Sequence, residues 1–310
     1  MRGRWRMLAV LLAAVITGAA APLSAQASAA APAAREVRFP GRGEPGDHRF
    51  DFSAELLVLV LQRAGGGWDV RVVEAMAQPQ ALQAARDGDV DVVALPSLAS
   101  ERSRLIVVRK PLRRGLLGMR LLLARPPDAD RLMRIESLET LKRDFVMGYG
   151  DTWMDREVLA DLGFRLSTGS SYPGLFDMLR AGRFDYLHRG INELEPELAD
   201  ARLAGRDLAV VPGIALFYPL DDYFHVTPRR PELAQAIERG FKRALGDGSY
   251  AALFNRHFEA AMRDAKLQER SIIHVSGYPV PPGTPLEDFD VLGLVRSTAV
   301  FNPPSINAPR

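Results

Sequence analysis

The sequence contains no cysteine. That excludes disulfide staples, thiolate metal sites and a lipid-modified N-terminal cysteine, so a hydrophobic core has to hold the chain together. Histidines number five (His48, His188, His225, His257 and His274), with no H-E-x-x-H and no paired ligand spacing. No metal and no cofactor is expected from such a set. No G-x-S-x-G elbow is present, which leaves an α/β-hydrolase without support. Beyond the N-terminus no apolar run reaches the roughly 20 residues that span a bilayer. Nor is there an excess of one charge, since 40 Lys and Arg face 38 Asp and Glu.

The N-terminus has the layout of a secretory signal peptide. Arg2, Arg4 and Arg6 form a positive region, Met7 to Ile16 an apolar one, and Ala25-Gln26-Ala27 an A-x-A cleavage site. The apolar run is too short for an anchor and breaks at Thr17-Gly18 and Pro22. Residues 1–27 are therefore read as a leader, and the remainder as an exported, soluble, periplasmic protein that is not a lipoprotein. The leader carries three arginines and no acid, so the rest of the chain holds 37 basic against 38 acidic side chains. No surplus of base is left to neutralise phosphates, and nucleic-acid binding is excluded.

The rest alternates strand-like and helix-like runs. A strand at 36–39, a helix at 52–64, a strand at 68–73, a helix at 79–86 and a strand at 90–95 give a β-α-β-α-β order. The compact apolar run Val90–Leu95 has the look of a buried parallel strand. A second series follows, with strands near 145–148, 185–188 and 208–211 among helices at 138–143, 153–162, 172–181 and 192–201. An aromatic stretch, Phe217–Val226, leads into two amphipathic helices. Leu233, Ile237, Phe241 and Leu245 mark the first; Tyr250, Leu253, Phe254, Phe258 and Met262 mark the second. From Tyr278 the chain is proline-rich and reads as a strap over one lobe.

This order resembles the type II periplasmic binding-protein fold in its amino-acid-binding branch, the family 3 extracellular solute-binding proteins. The resemblance is carried by Gly88-Asp89-Val90-Asp91, Ser100-Glu101-Arg102, Gly150-Asp151-Thr152, Ala181-Gly182-Arg183-Phe184-Asp185 and Asp247-Gly248-Ser249-Tyr250. It covers about residues 35–265 and marks the chain as a divergent member. It implies two α/β lobes, each a mixed sheet flanked by helices, joined by hinge strands near 116–124 and 212–220. Lobe 1 would comprise 35–118 and 217–285, lobe 2 would comprise 119–216, and 286–310 would be a partly disordered extension.

The resemblance further implies a ligand site. Arg102 would pair with a ligand carboxylate, and Thr152, at a helix start in the other lobe, would donate to the same group. Where the family carries an acid for a ligand ammonium, this chain has Arg189-Gly190, with Glu193 a substitute only if the turn differs. An arginine there repels an ammonium and attracts a second acidic group, unless Arg189 faces solvent. Arg49 and His48 feed the first long helix, where they either line the cleft or lie on the surface. Tyr149, Trp153 and Tyr172 either stack on a ligand or belong to the core. Arg113 and Arg114 read as solvated.

The expected function is capture of a small carboxylate-bearing or amino-acid-like ligand by hinge closure, with no chemistry, as a monomer serving a membrane permease of the ABC type. A sensory or partner-docking protein delivering its ligand to a receptor is the alternative. A lyase-type enzyme using Glu193 or His188 is a more distant one. Gly41-Arg42-Gly43-Glu44-Pro45-Gly46 matches G-x-G-x-x-G literally, but Pro45 and the polar run after it read as a loop rather than the opening of a dinucleotide-binding helix.

Overall fold

The computed structural model describes residues 34–41, 50–194 and 208–289. The leader, His48, Arg49, most of the G-x-G-x-x-G segment, the second half of the helix expected at 192–201, and the extension from 290 lie outside the described residues. The first series comprises β1 (Arg35–Gly41), α1 (Asp51–Ala64), β2 (Trp68–Ala75), α2 (Gln78–Asp87), β3 (Val92–Pro96) and β4 (Ile106–Val108). The second comprises β5 (Met119–Ala124), α3 (Pro126–Leu132), α4 (Leu138–Asp144), β6 (Val146–Gly150), α5 (Arg156–Asp161), β7 (Arg165–Gly169), α6 (Tyr172–Arg180), β8 (Tyr186–Gly190), β9 (Ala209–Val210) and β10 (Ile214–Phe217). The chain then returns through β11 (Asp222–Val226), α7 (Pro231–Gly246) and α8 (Ser249–Ala265) to β12 (Ser271–His274).

In the first lobe β1 pairs in parallel with β2, and β11 lies between β3 and β4, antiparallel to both. The burial of β3 was foreseen, but its ladder is antiparallel. Its partner is the strand returning from the second lobe, which enters from the opposite end. Asp91 joins β1 to β3. It accepts from Arg38 N (2.7 Å) and Nε (3.1 Å), and the next peptide link runs from Asp91 N to Arg38 O at 2.9 Å. The helices close over these strands because their apolar positions share one face. Phe52, Leu56, Leu57 and Val60 of α1 meet Leu233, Ile237 and Phe241 of α7 in one core cluster. Each such side chain is worth about 1.5–3 kcal/mol when fully buried. Leu245, expected in the same stripe, is exposed at the end of α7.

The second lobe is built on a seven-stranded mixed sheet ordered β12-β10-β5-β8-β6-β7, with β9 also on β5. Asp185 ties its centre, accepting Val146 N at 2.6 Å. The strand Ser271–His274 belongs to this sheet, parallel to β10, whereas the sequence reading assigned 217–285 as a block to lobe 1. Two chain crossings run side by side between the lobes. Tyr218 N donates to Gly118 O at 3.2 Å, and a Cβ on Gly118 would stand 2.0 Å from Tyr218 O, so only glycine lets the crossings touch. The lobes also meet at their rims, where Met154 N donates to Gln78 Oε1 at 3.1 Å.

Candidate functional site

Both crossings and both lobes line one cavity of about 70 Å³. At roughly 10–15 Å³ per water position, that is room for about five waters or a few heavy atoms. Gln78, Pro96, Arg113 and Asp222 come from the first lobe, Leu117 and Leu220 from the crossings, and Arg120, Tyr149, Trp153, Asp155, His188, Arg189 and Glu193 from the second lobe. Among the described residues no cluster of His, Asp and Glu is arranged to hold a metal ion.

Three arginines converge here, with Arg113 and Arg189 each 2% exposed and Arg120 6%. Arg113 stands just before the first crossing. Its Nη1 donates to Asp222 Oδ2 at 2.7 Å and its Nη2 to Ser53 Oγ at 3.0 Å. Behind it the buried Asp221 carboxyl accepts the amide N–H of Gly115 (2.5 Å) and Asp222 (2.7 Å), and burial pushes this carboxyl up to about 7. Arg120 projects from β5 over the ring of Tyr218, 5.5 Å from its centroid. Burial works against its charge, but Tyr218, Glu193, Tyr149 and Asp155 raise its pKa above the ordinary guanidinium value. Its Nη1 reaches Glu193 Oε2 at 3.0 Å, while its buried Nε has no hydrogen-bond partner. Arg189, at the end of β8, reaches Glu193 Oε1 at 3.0 Å and lies 5.1 Å from the Trp153 ring centroid.

Glu193 is thus gripped by two guanidinium groups, and Gly190 N donates a further bond to Oε2 at 2.7 Å. A Cβ on Gly190 would lie 3.0 Å from that oxygen and 2.7 Å from Asn192 Oδ1, so glycine is required for the carboxylate to come this close. Asp155 has phenols as partners instead. It accepts the hydroxyl of Tyr149 and, at 3.3 Å, that of Tyr278. His188, stacked on Tyr149 at 5.5 Å, is held neutral, because burial and then Arg120 and Arg189 drive its pKa well below the usual imidazole value.

Of the residues singled out from the sequence, Tyr149, Trp153, His188, Arg189 and Glu193 come together at this cavity. Arg189 is buried there and not turned to solvent. Arg102 does not line the cavity. It is exposed, in a turn fastened to α2 by Arg86, which donates to Arg102 O at 2.8 Å and Ser103 O at 2.9 Å. Thr152 is also exposed and caps no helix, because α5 starts only at Arg156, with Asp155 at the cap position. Tyr172 sits under Arg189, with the guanidinium 5.5 Å from its ring centroid. Arg113, read as solvated, is among the most buried charges in the protein. Sequence reasoning missed Arg120, Asp155, Asp222 and Tyr278. A lone arginine inside the apolar run Leu116–Ala124, and the pair Asp221-Asp222 inside the aromatic stretch 217–226, were signals available for two of them.

No family model matches the chain, and no curated protein does. Solved structures do. An ancestral arginine-binding protein bound to arginine superposes with a TM-score of 0.55 at 16% identity, covering 72% of this chain and 98% of that one. A histidine kinase sensor domain with similarity to periplasmic binding proteins gives 0.55 at 19%, covering 72% and 96%. A periplasmic His/Glu/Gln/Arg/opine family-binding protein from Silicibacter pomeroyi in complex with lysine gives 0.54 at 16%, also covering 72% and 96%. At these identities the likeness is one of fold, and the chain has the two-lobed α/β fold of the type II periplasmic binding proteins.

Proposed function

We propose that the protein is an exported solute-binding protein that closes its two lobes over a small carboxylate-bearing molecule in the cavity between them. The carrying observation is the charge arrangement of that cavity. Arg120 and Arg189 both reach the carboxylate of Glu193, and the buried Nε of Arg120 has no hydrogen-bond partner, so this guanidinium keeps a donor for an incoming anion. Asp155, held by phenols, offers an opposite charge on the same cavity, and Trp153 and Tyr149 supply apolar walls. The cavity's small volume favours a compact solute over a peptide or a sugar polymer. Nothing in this arrangement calls for bond-making chemistry: His188 is stacked and neutral, and Glu193 is neutralised by two arginines. Binding followed by hinge closure is the mechanism, with delivery to an ABC-type permease at the membrane.

A second reading is that the fold is kept for docking a receptor. It is favoured by the internal pairing of all three arginines, with Asp222 and Glu193 as partners. Thermal unfolding of the leader-free protein against amino acids, mono- and dicarboxylates, keto acids, sugars and polyamines separates the two. A solute at about 1,000 times its dissociation constant adds roughly 4 kcal/mol. We expect a rise of several degrees with a carboxylate-bearing class, abolished in Arg120→Met. No shift across the panel sinks solute binding and leaves receptor docking.

A further inference from the structure

The two crossings are not the whole connection between the lobes. After β12 the chain keeps going across the cleft, and each part of this C-terminal strap has a lobe to hold. Val275 and Tyr278 are buried in the core cluster of the second lobe, and Val275 N donates to Phe217 O at 2.9 Å. Tyr278 packs on Tyr218 with ring centroids 4.4 Å apart and tilted by 32°, and donates its hydroxyl to Asp155 in the cavity wall. Four residues later the strap has changed lobes. Pro282 O accepts Arg109 Nη1 at 3.0 Å, and Asp288 Oδ2 meets Lys110 Nζ at 2.9 Å. Arg109 and Lys110 directly follow β4, in the three-stranded sheet of the first lobe. Glu287 and Asp288 border a surface cavity with Phe241, Leu245 and Tyr250, from α7 and α8. Phe289 is buried at the far end.

We propose that this strap is a third, non-covalent staple between the lobes, and that it sets the equilibrium between open and closed forms. Opening the cleft by rotation about the crossings moves Lys110 and Arg109 relative to Tyr278, so the strap must release one of its anchors. The second-lobe anchor is a buried aromatic cluster, whereas the Lys110–Asp288 pair is 44% and 37% exposed, so this pair is the anchor that a substitution removes without opening a buried cluster. The apparent affinity of a two-state binder scales with its competent fraction, so a staple that favours closure raises affinity without touching the solute. The proposal rests on hinge closure as the binding mechanism, but its test needs no solute.

The reporter is the Met154 amide, whose bond to Gln78 Oε1 crosses between the lobes and breaks on opening. Its hydrogen-exchange rate, measured by NMR on the leader-free chain, reads the open fraction directly. Gln78→Ala serves as the reference for a severed contact. In Lys110→Ala/Asp288→Ala the Met154 amide is expected to exchange up to about fivefold faster, the ceiling for an exposed ion pair. The reversed pair Lys110→Glu/Asp288→Lys is expected to restore the parental rate. The amide of Asp185, bonded to Val146 O inside the second lobe, should be unchanged throughout. Met154 exchange equal to the parent in the double alanine variant overturns the proposal, as does equal acceleration at Asp185, which would mean general loosening. A thermal-shift panel without hits leaves this result standing, so the two readings fail separately.

Discussion

Arg120→Met tests the physical account of the site most directly. The substitution keeps the length of the side chain on β5 and its packing on Tyr218 but removes the bond to Glu193 Oε2. Taking one partner from a buried ion pair costs about 3–5 kcal/mol when the remaining charge is stranded. Glu193 is not fully stranded, because Arg189 at 3.0 Å and Gly190 N at 2.7 Å stay in place. The cost therefore falls below that range, at about 2–3 kcal/mol. For a chain of this size each kcal/mol moves the midpoint by about 2–4 °C, giving a fall of roughly 4–12 °C. Glu193→Gln alone is expected to cost a similar amount, since it leaves two buried guanidinium groups sharing a neutral amide. If the pair is the interaction, the double variant loses less than the sum of the singles, by about 1.5–3 kcal/mol, the range for a hydrogen bond to a charged group. Urea unfolding with an unchanged slope of free energy against denaturant measures all four corners of the cycle. Strict additivity, or a loss below about 1 kcal/mol for Arg120→Met, refutes the reasoning.

Two further predictions concern charges inside the fold. His225 is pushed down to about 4 by burial, so between the usual imidazole pKa of about 6.5 and that value the unfolded chain takes a proton that the folded one refuses. Stability from this group is complete above about pH 6.5 and is lost as pH falls. Buried Asp221, pushed up to about 7, has the opposite slope, so the parent is compared with His225→Phe. The variant's urea midpoint should drop less between pH 7.5 and 5, and parallel curves would count against a neutral buried His225. Asp91, by contrast, titrates below the usual carboxylate range. Its burial alone would raise the pKa, but the bonds from Arg38 outweigh it. Asp91→Ala is expected to lower stability by about 2–3 kcal/mol at pH 7, short of the full penalty because Arg38 is 37% exposed. The difference from the parent should shrink as pH falls below the usual carboxylate value of about 3.9 and through the lowered folded-state value, where the parental carboxylate protonates and gives up the same contacts. A difference independent of pH would show that the loss is one of packing.

Much of the scaffold was legible from local pattern alone. The i+4 apolar spacing of Leu233, Ile237 and Phe241, and the glycines after α1 and α2, are short-range signals, and they gave helices within a residue or two of those observed. The absence of cysteine left the core as the only source of stability. The short motifs in their order carried the fold class, because each marks a turn between successive elements. Side-chain direction was not legible. Arg102 and Arg113 are both arginines just beyond first-lobe strands, and only the packed structure decides between them. The turn at Arg102 is tied down to α2 by its carbonyls and faces solvent, while Asp222 and Ser53 draw Arg113 inward. Local pattern could not align β12 with β10, pair Asp155 with a tyrosine 123 residues away, or carry the strap across both lobes. Those contacts depend on the sum of every intervening turn. Periodicity marks most of the apolar face of each helix; the tertiary fold decides which charges are buried with it and what each finds there.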